Sequence, residues 1–206
     1  MNFLSDADHS YDTTVTSIED DVAEAALSKL RAYSKDMENI KHVDLHKFLV
    51  YDDHATNGQN CRSYITGSAI WDSKTLFGWS TFGYIAYDVK TSNLVYLKDF
   101  WCTDISGIQK EGDVYEELHK ANMPHIPVLG PAGDVPLFYD QSNTNPQRTK
   151  TQDYVKGSVL GHDWCPGRPR VDPYVHYWLV LETLGNPLNT FNVTIVSLST
   201  LYFLIS

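Results

Sequence analysis

The sequence predicts an α+β fold: a twisted antiparallel sheet with one well-marked helix set among its strands and a further helix ahead of them. Three observations predict it. Aromatic residues make up 13% of the 206 residues, with 13 Tyr and 5 Trp, and flat rings suit a pleated surface. Short apolar runs separated by turn residues fill residues 63–100. The apolar period then switches from strand to helix at Glu111.

Taken in order, residues 1–24 hold seven acidic residues and no Lys or Arg, which predicts a solvated, mobile leader up to about Ser17. Ser17-Ile18-Glu19-Asp20 resembles a capping box with Asp in place of the usual Glu. Val22, Ala26, Leu30 and Tyr33 come after it at helical spacing, so an amphipathic helix is expected over residues 18–34, packed on the domain behind it. Phe48-Leu49-Val50-Tyr51 reads as a strand and Asp52–Asn60 as a polar loop. Tyr64-Ile65-Thr66, Ala69-Ile70-Trp71, Tyr84–Val89 and Leu94-Val95-Tyr96-Leu97 read as strands, the last two joined as a hairpin by Lys90-Thr91-Ser92-Asn93. Val114, Tyr115 and Leu118 share one side of a helix over Glu111–Ala121. Pro124, Pro127, Pro131 and Gly133 punctuate the next segment, and residues 141–172, polar and rich in Gly and Pro, read as an irregular insertion. Val175–Leu181 returns to a strand pattern, broken by Gly185-Asn186-Pro187. The division expected is a leader with its helix at 1–44, a domain at 45–191 and an uncharged tail at 192–206.

Composition narrows the function. Sixteen Lys+Arg against 26 Asp+Glu leave a formal charge of −10, a surface that repels phosphate backbones and anionic lipid, so nucleic-acid binding is not expected. Cys61, Cys102 and Cys165 are widely spaced, form no C-x-x-C pair and suit a reducing compartment, cytoplasmic or nuclear. The N-terminus lacks the basic and apolar segments of a secretory signal, and Val193–Ser206 is too short to span a bilayer comfortably. The histidines show neither H-x-x-H nor H-E-x-x-H spacing, which gives no support to a metal site.

Three features acquire meaning from their order. Gly78-Trp79-Ser80-Thr81-Phe82-Gly83 lies between strand candidates, where glycines let a hairpin lie close over a bound group. Lys98 follows an apolar strand, and a shielded ammonium needs a partner. Glu111 opens the next helix, from whose inner side a carboxylate could reach Lys98. A Lys–Glu pair beneath a glycine-bearing hairpin is a device for holding the α- and β-phosphates of a nucleotide.

This order, with a later strand ending in Glu182, resembles that of a protein-kinase N-lobe. Gly78-x-Ser80-x-x-Gly83-x-Ile85 resembles G-x-G-x-x-G-x-V with Ser for the middle Gly, Val95-Tyr96-Leu97-Lys98 resembles V-A-I-K, and Met123-Pro124-His125-Ile126 resembles the H-P-N-I after the regulatory helix. Five blocks, Gly83–Val89, Leu97–Trp101, Glu111–Tyr115, Arg148–Tyr154 and His176–Glu182, are similar in sequence and order to the fungal-type protein kinase family, over roughly residues 45–191. The resemblance implies that ATP is the ligand. Adenine would lie against Ile85 and Leu181, the backbone of Glu182 and Leu184 would offer it a carbonyl and an N–H, and Lys98 would touch the phosphates, held by Glu111 or, with the helix register shifted, by Asp113.

The resemblance also has gaps. No H-R-D and no D-F-G occurs, and Asp99-Phe100-Trp101 is no substitute because it directly follows the lysine strand. The expectation is a truncated, pseudokinase-like lobe whose C-lobe is missing and which transfers no phosphate alone, Mg2+ binding only if a C-lobe is supplied. A lobe of this kind exposes an apolar face, and a full-length kinase relative is the partner expected for it.

Overall fold

The computed structural model describes residues 14–18, 20–55, 61–73, 80–137, 145–149 and 173–185. They form an α+β fold of one eight-stranded antiparallel sheet and two α-helices. The strands are β1 (Val15–Thr16), β2 (His46–Tyr51), β3 (Cys61–Thr66), β4 (Trp71–Asp72), β5 (Thr81–Asp88), β6 (Leu94–Thr103), β7 (Leu129–Asp134) and β8 (Tyr174–Leu181). Helix α1 spans Asp20–Tyr33 and α2 spans Glu111–Lys120. The sheet order is β1-β2-β3-β5-β6-β8-β7, with β4 paired to β5 beside this path.

Alternation decides which side chains meet. On one side of the sheet, Phe48, Val50, Tyr64, Ala86, Val95, Leu97, Trp178 and Val180 form a single buried cluster that also takes in Val135. The sheet curls around it until β2 reaches β7, where the Asp53 N–H donates to the Ala132 carbonyl at 3.0 Å. The opposite side is shared by the helices. Ala23, Ala26, Leu27 and Leu30 of α1 cluster with Ile65, Ile85 and Tyr87, while Phe100, Cys102, Ala132, Val175, Tyr177 and Leu179 cluster beneath Tyr115 of α2. Exposed large apolar side chains are scattered, among them Val43, Ile108, Met123 and Val128, with Ile70, Trp71 and Phe82 adjacent to one another at the β4–β5 pairing.

Several expectations are corrected here. The leader does not stay free up to Ser17, because Val15 and Thr16 pair with Phe48 and Lys47 and Thr14 is buried. Helix α1 starts at Asp20, too far along for Ser17 to cap it. Lys98 does not end its strand: β6 runs on to Thr103, because Phe100 and Cys102 continue the buried alternation. Val114 faces solvent, and the buried residue of α2 is Gly112. The segment read as punctuation contains β7, an edge strand of the order, with Pro131 inside a register shift where no ladder N–H is required. The 90–93 turn closes as expected: the Asp88 N–H donates to the Asn93 carbonyl, and Ser92 takes a positive φ of 56°. Most of the insertion at 141–172, and the whole tail at 192–206, lie outside the described residues; Asn145–Thr149 lies within them, and its Gln147 N–H donates to the Val135 carbonyl at 2.8 Å.

Candidate functional site

The ladder registers place Lys98 at the centre of the sheet. Its backbone neighbours are Gly83 on β5 and Leu179 on β8, so all three side-chain positions fall on the side carrying the helices. Helix α2 enters over that side. Lys110 opens it by donating its backbone N–H to the Asp113 carboxylate at 3.3 Å, and Glu111 and Asp113 put negative charge in the first turn, where the helix dipole favours it. Glu111, the first residue of α2, reaches down and ion-pairs with Lys98. Asp113, the alternative partner, lies instead 3.4 Å from His54, whose other ring nitrogen is 3.6 Å from Glu116. The Lys98 ammonium also sits 4.4 Å from the centre of the Phe100 ring. Its side chain keeps 26% exposure, so an ammonium with three donors still reaches solvent beside its carboxylate partner.

One row along the same side lie Ile85, Tyr96 and Leu181, neighbours across β5, β6 and β8. The sequence singled out the outer two and not the middle one. The Tyr96 hydroxyl stands where a side chain at Gly83 would be. Burial raises the Tyr96 pKa, and the nearby Glu111 charge raises it further, so the hydroxyl stays protonated. The signal was present: Tyr96 stands where the V-A-I-K pattern has its small alanine.

Of the other expected residues, Gly78 lies outside the described ones. Ser80 is no hairpin tip, since its carbonyl accepts the Trp101 N–H at 3.3 Å and so extends the β5–β6 ladder. Gly83 likewise lies inside β5, between Trp71 on β4 and Lys98 on β6. Ile85 is only 2% exposed and belongs to the α1 cluster, with Leu184 and Tyr96 packed against it. Leu181 packs against the α2 cluster instead. The Glu182 N–H donates to the Val128 carbonyl at 2.9 Å, and its side chain accepts from Arg62 at 3.2 Å. Arg62 also holds the buried Asp88 at 2.5 Å, so the end of β8 is tied to the β5–β6 turn.

Two polar clusters were missed by the sequence reading. Lys110 lies 2.7 Å from Asp134 and 3.7 Å from Asp53, binding α2 to β7 and to the loop after β2. His176, nearly buried, contacts Asp99 at 2.5 Å and Gln147 at 2.9 Å and stacks on Trp101. Both join segments far apart in sequence, and no short motif announces them. Among the described residues no group of His, Cys, Asp and Glu is arranged to hold a metal ion, and no helix is long and apolar enough to cross a membrane.

Compared with protein families, with characterised proteins and with solved structures, the chain matches none of them.

Proposed function

We propose that residues 45–191 form a nucleotide-binding lobe of the fungal-type protein kinase kind, in which Lys98 holds the α- and β-phosphates of ATP and Glu111 holds Lys98. The observation that carries this reading is the ion pair between them, made across a helix–sheet boundary by two residues chosen for it on sequence order alone. An ammonium fixed by one carboxylate is aimed before ligand arrives, so little side-chain freedom is lost on binding. Its remaining exposure suits a polyphosphate. The five sequence blocks in kinase order support the same reading.

The residues fit the two ends of a nucleotide unequally. The phosphate end fits Lys98. The base end does not fit this arrangement, because Ile85 is covered and Tyr96 stands between Ile85 and Leu181. The 206 residues also contain neither H-R-D nor D-F-G, the Asp and Asn groups that orient an acceptor hydroxyl and bind magnesium. The proposal therefore covers binding and not transfer, and no step through a metal is derived.

Isothermal titration with inorganic tripolyphosphate tests the phosphate site directly. Binding with a Kd of about 1 mM, some 4 kcal/mol, is expected, and Lys98→Met should weaken it at least about tenfold. Tripolyphosphate heat that is the same for the Lys98→Met variant, or absent from the unaltered chain at millimolar concentration, would reject the reading.

A further inference from the structure

We infer that Trp71 is the platform on which the base of a nucleotide held at Lys98 stacks, a placement that rests on the phosphate-site reading above. The ligand then lies across the strands, from Lys98 outward to β4, and not along the row of Ile85 and Leu181. Trp71 pairs with Gly83, and Gly83 pairs with Lys98, so the three make one cross-strand row. Residues directly opposite one another in an antiparallel ladder share a side of the sheet. The Trp71 side chain therefore leaves β4 on the side where Lys98 meets Glu111. Two strand spacings, about 10 Å, separate the Trp71 backbone from that of Lys98. A ribose and its first phosphates cover such a span. Phe82, exposed nearby, pairs with Asp99 and so lies on the opposite side.

The row changes character along its length. At the inner end Leu179, the other neighbour of Lys98, is fully buried in the cluster beneath α2. Lys98 is part-exposed, and at the outer end Trp71 is 53% exposed and belongs to none of the three buried clusters. An indole with so small a share in packing keeps ring surface for a ligand, and a nucleobase is the part of a nucleotide that stacks on it. Between the two ends the Tyr96 hydroxyl fills the space over Gly83. Burial and the Glu111 charge keep this hydroxyl protonated, so it presents an O–H where the sugar of such a ligand would pass. The side chain that closes the Ile85 row to a base thus contributes to the row beside it.

Two ligands separate the platform from the phosphate site. Tripolyphosphate needs only Lys98, whereas ATP uses Trp71 as well. Isothermal titration of the full chain should show ATP binding about tenfold more tightly than tripolyphosphate, the gain expected of one stacked base. Trp71→Ala, at an exposed position where little packing is lost, should bring ATP down to the tripolyphosphate level and leave tripolyphosphate within about twofold. Trp71→Phe, which restores a ring, should recover most of the gain. ATP that binds no more tightly than tripolyphosphate, or that binds Trp71→Ala as tightly as the unaltered chain, overturns the platform and leaves the phosphate site standing. An equal loss of both ligands in Trp71→Ala overturns the platform too, because Trp71 would then be supporting the fold. Absence of tripolyphosphate binding to the unaltered chain overturns the phosphate site and the platform together.

Discussion

Tyr96 and Lys98 are two residues apart on one strand, point to the same side of the sheet, and differ in how readily their roles are read. Lys98 announces itself, because an ammonium placed among apolar strand residues needs a counter-charge and Glu111 is the first residue of the next helix. The part played by Tyr96 depends on which residues the ladders bring beside it, and Leu181 arrives from a strand far along the chain. Asp53 shows the same dependence. It sits beside Asp134, and its pKa is raised, first by burial and then by that neighbouring charge, against the opposing pull of Lys110. A raised carboxyl pKa means that the folded chain holds the proton more tightly than the unfolded one. Stability from this group is therefore greatest at low pH and falls as pH climbs through the window that opens above 3.8. Asp53→Asn keeps an acceptor for the Asp134 N–H and removes the charge. Its unfolding midpoint in urea should equal or exceed that of the unaltered chain at neutral pH, with the difference vanishing below pH 3.8. With 41% of the side chain exposed the gain is small. A clearly lower midpoint for the variant at neutral pH would show that the contact with Lys110 outweighs burial.

Helices and hairpins were legible where a residue's neighbours in sequence are its neighbours in space. Helix α1, helix α2 and the β5–β6 hairpin all arise from periods and turn residues within a dozen positions of one another. Strand β7 was not legible, because Leu129-Gly130-Pro131-Ala132-Gly133-Asp134 has turn composition and becomes a strand only by lying along β8. The burial of α2 was also misread, since an apolar count favours Val114 whereas the sheet beneath admits only a residue without a side chain. Gly112 is that residue: a Cβ there meets the Tyr177 hydroxyl and comes within 3.0 Å of the Ala132 Cβ. Tyr177 is fully buried and has no room to retreat. Gly112→Ala gains up to about 1 kcal/mol of helix propensity and loses about 1–3 kcal/mol to overpacking, so a net loss of about 1 kcal/mol is expected. The displaced helix should carry Glu111 away from Lys98, so tripolyphosphate binding should weaken along with stability. A variant as stable as the unaltered chain with full binding would mean that α2 is held by its rim charges and not by this contact.

At the scale of the molecule, the curl of the sheet decides how α2 can stand over Lys98 at all. The strands β2 and β7 lie near opposite ends of the ladder order, yet the Asp53 N–H reaches the Ala132 carbonyl, and the Asp134 N–H reaches the Asp53 carboxylate at 3.2 Å. Lys110, beside Glu111, joins the same seam through Asp134 and Asp53. Closure of the sheet and placement of the candidate phosphate site are thus one structural fact. Gly133 is where the seam is tightest. A Cβ there would lie 2.7 Å from the Tyr51 carbonyl oxygen and 2.8 Å from an Asp53 carboxylate oxygen. The carboxylate can rotate aside, but the backbone oxygen belongs to a strand paired along its length with β3 and cannot. Gly133→Ala should therefore part β2 from β7 and lower stability by about 1–3 kcal/mol. Gly130→Ala is the milder comparison, because its nearest contact is a Val180 side-chain carbon at 3.1 Å and no backbone atom is among its near contacts. Hydrogen exchange at Asp53 and Asp134 should speed up in the first variant and hold in the second. If the amides at the seam stay equally protected in both, β2 and β7 are merely adjacent, and the position of Glu111 over Lys98 does not depend on their meeting.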